Sequence, residues 1–336
     1  MSLRVLCVGA GYFAGFHHDA WARHPETELA AVVDPDLDRA RAVGVPAYAS
    51  LTEAVAAGAY DIIDLIVPPF AQADLVREAL ECGPRAVICQ KPFAVSLDEA
   101  ESLCDASDSA GIPLIIHENF RFQPWYRKAK ELLEAEALGD IHQVSFRLRT
   151  GDGQGPNAYL DRQPYFQDMP RLLVHETGVH WVDTFRFLLG PITGVYADLR
   201  QMNPVISGED AGHVLFDFER GRRALFDGNR HLDHATTNSR LTFGDALIEG
   251  TKGTLSLAGD GSLTLRAFGE PEGRVVFPAQ DWPGFAGDCV YALQSHVVAA
   301  LLGHGDIENE ARDYLTVRRI EAAIYQSAEE GRHIAV

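Results

Sequence analysis

Along the first 120 residues, short apolar runs alternate with stretches of helical spacing. Strands are expected at 3–9 ("LRVLCVG"), 28–34 ("ELAAVVD"), 61–67 ("DIIDLIV"), 85–90 ("RAVICQ") and 112–118 ("IPLIIHE"). Between them, apolar positions recur at helical intervals over 12–25, 36–43, 51–57, 71–82 and 96–110. Ser96 followed three residues later by Glu99 is the pattern of a capping box. Continuous Val/Ile/Leu strands separated by helices predict a parallel sheet covered on both faces, a doubly wound α/β domain.

The texture changes near residue 120. "PWYRKAKELLEAEALG" reads as an amphipathic helix closed by Gly139, and "DIHQVSFRLRT" as an alternating strand. "VHETGVHWVDTFRFLLG" reads as a second helix ending at Gly190-Pro191. Alternating segments follow at 193–202, 211–219, 222–229, 236–249, 253–258, 262–268 and 273–277, with turns such as "FERGRR" and "GDGS" between them. They predict a large open, mostly antiparallel sheet with one covered face. Helices at about 287–302 and 310–330 end the chain. The expected division is a dinucleotide-binding domain over 1–120 and an α+β substrate and oligomerisation domain over 121–336, whose last helices can pack back on the first.

Composition narrows the functional classes. The formal net charge of −19 repels nucleic acid and anionic membranes as a general field. No apolar run reaches the roughly 20 residues that span a bilayer. The five cysteines form no CxxC pair and are odd in number, which fits a reducing cytoplasm.

The chemistry begins at "CVGAGYFAGFHH". Gly9, Gly11 and Ala14 form G-x-G-x-x-A directly after the first strand. The first glycine permits the tight turn, the second lets the backbone approach a pyrophosphate, and Ala14 lets helix and strand pack closely. The anion would rest on the helix N-terminus. Asp34, at the end of the second strand, can accept hydrogen bonds from ribose hydroxyls and repel a 2′-phosphate. It favours NAD, while Arg39 and Arg41 nearby leave NADP open.

A second signal is the lysine of "ICQKPF". The chain has only four lysines among 29 basic residues, and Lys91 follows an apolar run at the carboxyl end of a strand. That is the ligand-binding side of an open parallel sheet. Unlike arginine, lysine can lose its proton when desolvated. By position alone, a solvated lysine is as good a reading.

These stretches, together with "VVDPD", "VPP" at 67–69, "QKPFA", "TGVHWVD", "IEGTKGTLSL" and "EAAIYQSAEEGR", resemble the glucose–fructose oxidoreductase / inositol dehydrogenase / rhizopine-catabolism family over nearly the whole chain. The resemblance implies NAD(P)-dependent oxidation of a hydroxyl on a sugar, polyol or related compound. It implies a homodimer or homotetramer built through the C-terminal sheet. Tyr12, Phe13, Pro68, Pro69, Gln72 and Gln90 would join the glycine turn, Asp34 and Lys91 around the cofactor. Two departures stand out: Gln90 replaces the family's usual Glu before Lys91, and Glu176 replaces its usual Asp four residues before His180.

On a helix, Glu176 and His180 share a face, and Asp183, three residues further on, could reach the same neighbourhood and contact substrate. A His with a carboxylate nearby is suited to take a hydroxyl proton; an isolated His more often packs within its helix. The resemblance implies the proton-exchange role, with Lys91 on the same substrate oxygen. Asn119 and Arg121, beyond the last strand of the first domain, could hold a substrate oxygen or the nicotinamide amide. Tyr159, Arg162 and Tyr165 lie on a long loop that either covers the substrate or is simply solvated. His175, Glu176 and His180 lack the HExxH spacing, and "HLDH" at 231–234 has no third ligand in view, so no metal is expected. Two other outcomes keep the cofactor: a glycosidase that oxidises, eliminates and re-reduces, and a non-catalytic ligand sensor.

Overall fold

The computed structural model describes residues 2–336, which divide into two compact units. The first comprises residues up to Asn119 together with Val290–Arg318. The second comprises Phe120–Cys289 and Arg319–Val336. The border therefore runs near residue 120 and again inside each of the two last helices.

In the first unit the apolar runs become β1 (Leu3–Val8), β2 (Thr27–Val33), β3 (Ala47–Tyr48), β4 (Ile62–Leu65), β5 (Ala86–Cys89) and β6 (Leu114–Ile116). The helices α1 (Ala14–Arg23), α2 (Leu37–Ala42), α3 (Leu51–Ala57), α4 (Pro69–Glu81) and α5 (Leu97–Ala110) alternate with them. Among the described residues the sheet order is β3-β2-β1-β4-β5-β6, every pair parallel. This doubly wound order reverses direction between β1 and β4, and sheets of this kind bind ligands beyond the strands' carboxyl ends at such a point. β3, two residues long, was too short to show as an apolar run.

Local signals account for the helix ends. Asp36, Ser50 and Ser96 cap α2, α3 and α5 through side-chain oxygens. Pro69 begins α4, where its missing N–H costs nothing. The Ser96 hydroxyl accepts from Glu99 N (3.1 Å), and the Glu99 carboxylate accepts from Val95 N (3.0 Å).

The second unit opens with α6 (Pro124–Glu134), β7 (Ile141–Leu148) and, after a long loop, α7 (Val179–Leu189). Then come β8 (Ile192–Arg200), β9 (Ala211–Phe218), β10 (Arg223–Asn229), a short α8 (Ser239–Thr242), β11 (Gly244–Gly250), β12 (Gly253–Leu257), β13 (Leu263–Ala267) and β14 (Arg274–Phe277). α9 (Phe285–Leu301) and α10 (Ala311–Glu330) cross the border between units, and β15 (Ile334–Ala335) ends the chain. Among the described residues the sheet order is β14-β13-β12-β11-β7-β10-β9-β8-β15, and only β7 and β10 pair in parallel. Its covered face is aromatic. Trp181 of α7 stacks on Phe146 of β7 (4.0 Å) and Phe226 of β10 (5.5 Å), and Phe185 meets Phe216 of β9 edge-on.

Three elements differ from the sequence pattern. α6 stops at Glu134, five residues before the expected glycine cap. Glu136 itself takes the left-handed conformation (φ 52°), and Glu136 N→Leu133 O with Ala137 N→Leu132 O closes a Schellman turn. Gly139 serves a close approach instead, because a Cβ there would lie 2.3 Å from Thr251 Oγ1. The alternation over 236–249 yields a strand only from Gly244. The Asn238 side chain caps α8 at Arg240 N (3.1 Å), taking the preceding residues out of the sheet. Finally, the expected helix over 174–190 begins as a π-helical turn, Leu173–Gly178, before α7.

Removing the α5 cap with Ser96→Ala is expected to cost about 1 kcal/mol, read as a lower urea midpoint at unchanged slope.

Candidate active site

The glycine turn has the shape its residues require. Gly9 sits at φ +117°, and a Cβ there would lie 2.4 Å from Ile66 O, so no other residue fits. At Gly11 the space where a Cβ would stand is open to 4 Å. His18 bonds the Gly9 carbonyl (3.1 Å), tying α1 back to the turn, and Ala14 is buried against the sheet. No side chain caps the first N–H groups of α1. Asp34 accepts from Ala10 N (2.7 Å) and Asp36 N (2.8 Å), so its carboxylate closes the turn and retains lone pairs for a diol. This set fits a dinucleotide: a helix N-terminus without a side-chain cap for the pyrophosphate, an open glycine beside it and an acid for the ribose. Arg39 and Arg41, both exposed, pair with Asp36 (3.1 Å) and Asp38 (3.3 Å). Tyr12 is half-exposed, Phe13 lies at the start of α1, and Pro68 and Pro69 open α4.

Gln72 has a different occupation from the expected one. It is fully buried, and its amide nitrogen donates to Gln90 O (2.7 Å) and Pro92 O (3.1 Å), while its oxygen accepts from Ala94 N (2.7 Å). Gln72 therefore clamps the segment carrying Lys91. The Gln90 side chain folds back onto that segment, accepting from Lys91 N (2.9 Å) and meeting His17 Nε2 (3.2 Å). His17 in turn meets Asp64, a carboxylate with no exposed surface (2.8 Å). The Trp21 indole N–H donates to the same carboxylate (2.8 Å).

In the second unit, the π-turn places Glu176 one turn ahead of His180. Its leading N–H groups are satisfied from elsewhere in the chain. The Glu209 carboxylate accepts from Leu172 N (3.2 Å) and Val174 N (3.0 Å), and the Tyr325 hydroxyl accepts from His175 N (3.1 Å). His180 is buried, its ring stacked on Phe120 at 3.8 Å with 4° between planes. The charge of Glu176 bears on Tyr165, whose phenol is pushed up to about 12 by partial burial first and Glu176 second. It also bears on the buried Arg230.

Arg121 and Asp183 were expected to face substrate, yet each is committed to the other. The guanidinium grips the carboxylate through Nε (2.7 Å) and Nη2 (2.5 Å), with Asp183 wholly buried. The pair ties the turn after Asn119 to α7, which fixes where His180 stands. Asn119 is buried and its amide nitrogen has no partner among the described residues.

The loop carrying Tyr159 is not simply solvated. Tyr159, Ala158, Phe166, Leu172 and Ile206 form a small core of their own. Arg162 bonds Asp152 (2.6 Å), and Arg230 reaches the same carboxylate (3.5 Å) and the Thr177 hydroxyl. Sequence reasoning missed Arg230 and Asp152. A strand-end arginine and a loop aspartate 78 residues apart carry no local pattern. His231 and His234 are likewise spent on Asp210 (2.8 Å) and Arg149 O (2.7 Å), and no metal-binding cluster occurs among the described residues.

Fold and site define an NAD(P)-dependent oxidoreductase. Residues 3–117 match the oxidoreductase family with an NAD-binding Rossmann fold, and residues 126–256 match the GFO/IDH/MocA C-terminal domain. The chain belongs to the GFO/IDH/MocA family. It is 31% identical to a D-apiose dehydrogenase of Paraburkholderia graminis, over 97% of this chain and 88% of that one. It is 27% identical to an inositol 2-dehydrogenase of Arthrobacter sp., over 100% and 96%. A crystal structure of an Agrobacterium radiobacter oxidoreductase in complex with NAD+, L-tartaric acid and magnesium superposes with a TM-score of 0.89 at 27% identity, covering 100% of this chain and 98% of that one.

Asp183→Ala strands a buried guanidinium and is expected to cost about 3–5 kcal/mol, measured by denaturant unfolding. Arg121→Met combined with Asp183→Leu should recover most of that loss.

Proposed function

We propose that this protein is a sugar or polyol dehydrogenase in which His180 exchanges the proton of the reacting hydroxyl and Lys91 binds its oxygen. The observation that carries the reading is the whole-length similarity to dehydrogenases of D-apiose and inositol, together with Lys91 just beyond the carboxyl end of β5 and His180 on α7. NAD, when bound, supplies the hydride acceptor. The chain's own residues do the rest. Phe120 fixes the plane of the His180 imidazole, and an imidazole so held can take the hydroxyl proton and return it in the reverse direction. Glu176 sets the local charge, at a helical opening whose N–H groups Glu209 and Tyr325 hold in place. Lys91 extends from a segment clamped by Gln72 and brings an ammonium to the oxygen whose charge develops. Asn119, with its unsatisfied amide, is assigned to substrate or nicotinamide. Tyr159 acts from beneath the loop as its core, and Arg121 with Asp183 positions α7.

The cofactor is read as NAD, because Asp34 occupies the place a 2′-phosphate would need. Assembly is read as a homodimer or homotetramer through the second unit's sheet. On its outer face Tyr196, Leu215 and Leu225 lie in register across β8, β9 and β10, the first two exposed. The cytoplasm is the proposed compartment, given five free cysteines, four of them buried. No helix among the described residues is long and apolar enough to cross a membrane.

Lys91→Ala and His180→Ala are each expected to lower kcat by about 10²–10⁴-fold on a panel of sugars and polyols, followed by nicotinamide absorbance. Turnover left intact in either variant would remove that residue's role. Asp34→Ala should narrow the preference for NAD over NADP by roughly tenfold or more in kcat/KM, and an unchanged ratio would assign the choice elsewhere.

A further inference from the structure

Lys91 stands at the end of a line of buried and partly buried side chains whose hydrogen bonds can run in only one direction. The Lys91 backbone N–H is a fixed donor, so the atom of Gln90 that faces it at 2.9 Å is the carbonyl oxygen Oε1. The Gln90 amide nitrogen is then the group facing His17 Nε2 at 3.2 Å, and it can only donate. His17 Nε2 must therefore offer a lone pair. The ring proton goes to Nδ1, which donates to Asp64 Oδ2 at 2.8 Å. A second fixed donor, the Trp21 indole N–H, reaches the same oxygen at 2.8 Å. Every donor in this line meets an acceptor, and the direction is set at both ends by groups that cannot reverse.

We propose that His17 is a positioning residue for Lys91, held as the neutral imidazole with its proton on Nδ1, and that the amide of Gln90 is what keeps it neutral. A glutamate at position 90 would present an acceptor to both the Lys91 N–H and His17 Nε2. His17 would then need a second proton to fill the contact. One side-chain atom at position 90 thus decides whether an imidazole or an imidazolium lies beneath the Lys91 peptide. The arrangement also leaves that peptide little freedom, since Gln72 holds the carbonyls of Gln90 and Pro92 from the other side. The titratable groups around His17 are Asp64, His18 of its own helix and His117, whose ring centroid lies 4.1 Å away. The thiols of Cys7 and Cys89 lie beside Asp64, and burial pushes both up. Gln294 of α9 donates only to the His17 carbonyl (3.5 Å).

The importance of Lys91 rests on the dehydrogenase reading, but the state of His17 does not, and the test separates them. Nitrogen NMR of the full chain with labelled histidine, assigned by His17→Phe, needs no substrate. Near neutral pH the wild type is expected to show one protonated, pyrrole-type nitrogen at Nδ1 and one unprotonated nitrogen at Nε2. Gln90→Glu is expected to show both protonated. A proton on Nε2 in the wild type, or a neutral His17 in folded Gln90→Glu, would overturn the proposal. The wild-type spectrum alone decides the direction of the line if the variant does not fold.

Positioning is read from amine acylation followed by peptide mass spectrometry, which resolves the four lysines individually. Folded Gln90→Glu should change the Lys91 labelling rate by about threefold or more, the equivalent of half a pKa unit, with Lys252 unchanged as internal reference. Equal Lys91 rates in the two proteins would refute the positioning role. A neutral His17 together with an active Lys91→Ala enzyme would instead remove the role of Lys91 in turnover and leave the tautomer assignment intact.

Discussion

A carboxylate with no exposed surface lies in the middle of the first unit's sheet, on β4, and its neighbours are arranged around the need to satisfy it. An unpaired charge in that position would cost several kcal/mol. One oxygen of Asp64, Oδ2, is met by two residues of one helix, His17 and Trp21, four positions apart on the buried face of α1, while Oδ1 has no partner among the described residues. That requirement holds α1 against β4. It also fixes the helix N-terminus beside the glycine turn, and through His17 and Gln90 it reaches the peptide of Lys91. A structural charge in the core and the lysine assigned to chemistry are thus parts of one hydrogen-bonded system.

The second unit uses another device for a similar end. The segment leading to His180 cannot begin as an ordinary capped α-helix, because the π-turn from Leu173 to Gly178 displaces the usual N-terminal bonding. Its N–H groups are met by the Glu209 carboxylate and the Tyr325 hydroxyl, which bond each other at 2.6 Å. The bidentate Arg121–Asp183 pair holds the other side of α7, and Phe120 lies flat against His180. The loop over 150–170 is anchored comparably, with a core around Tyr159 and with Arg162 and Arg230 sharing Asp152. A loop built this way presents a shaped wall.

Much of this was legible in the residues. Period-two and period-3.6 patterns located nearly every strand and helix, and the glycine turn, Asp34 and Lys91 were found by motif and by place along the chain. The patterns failed where a local rule met a contact from far away. Glu136 closes α6 although a glycine stands three residues on, because that glycine is needed where Thr251 passes. Arg121 and Asp183 looked like ligand contacts, since charge beyond a sheet's edge invites that reading, but their partner is a residue 62 positions distant. Gln72 was grouped with the cofactor residues by the family resemblance, while its amide belongs to the backbone of 90–94.

The division follows from the range of the forces. Backbone geometry, side-chain branching and the spacing of apolar groups act over a few residues, so the order of elements, the glycine turn and the helix caps are written in the local sequence. Hydrogen bonds between buried side chains depend on which atoms the fold brings within about 3 Å, and nothing in the linear order of His17, Asp64 and Gln90 announces that they will meet. Only the tertiary structure could decide that Arg121 faces Asp183 and that the lysine picked out by its place in the chain rests on a histidine 74 residues earlier.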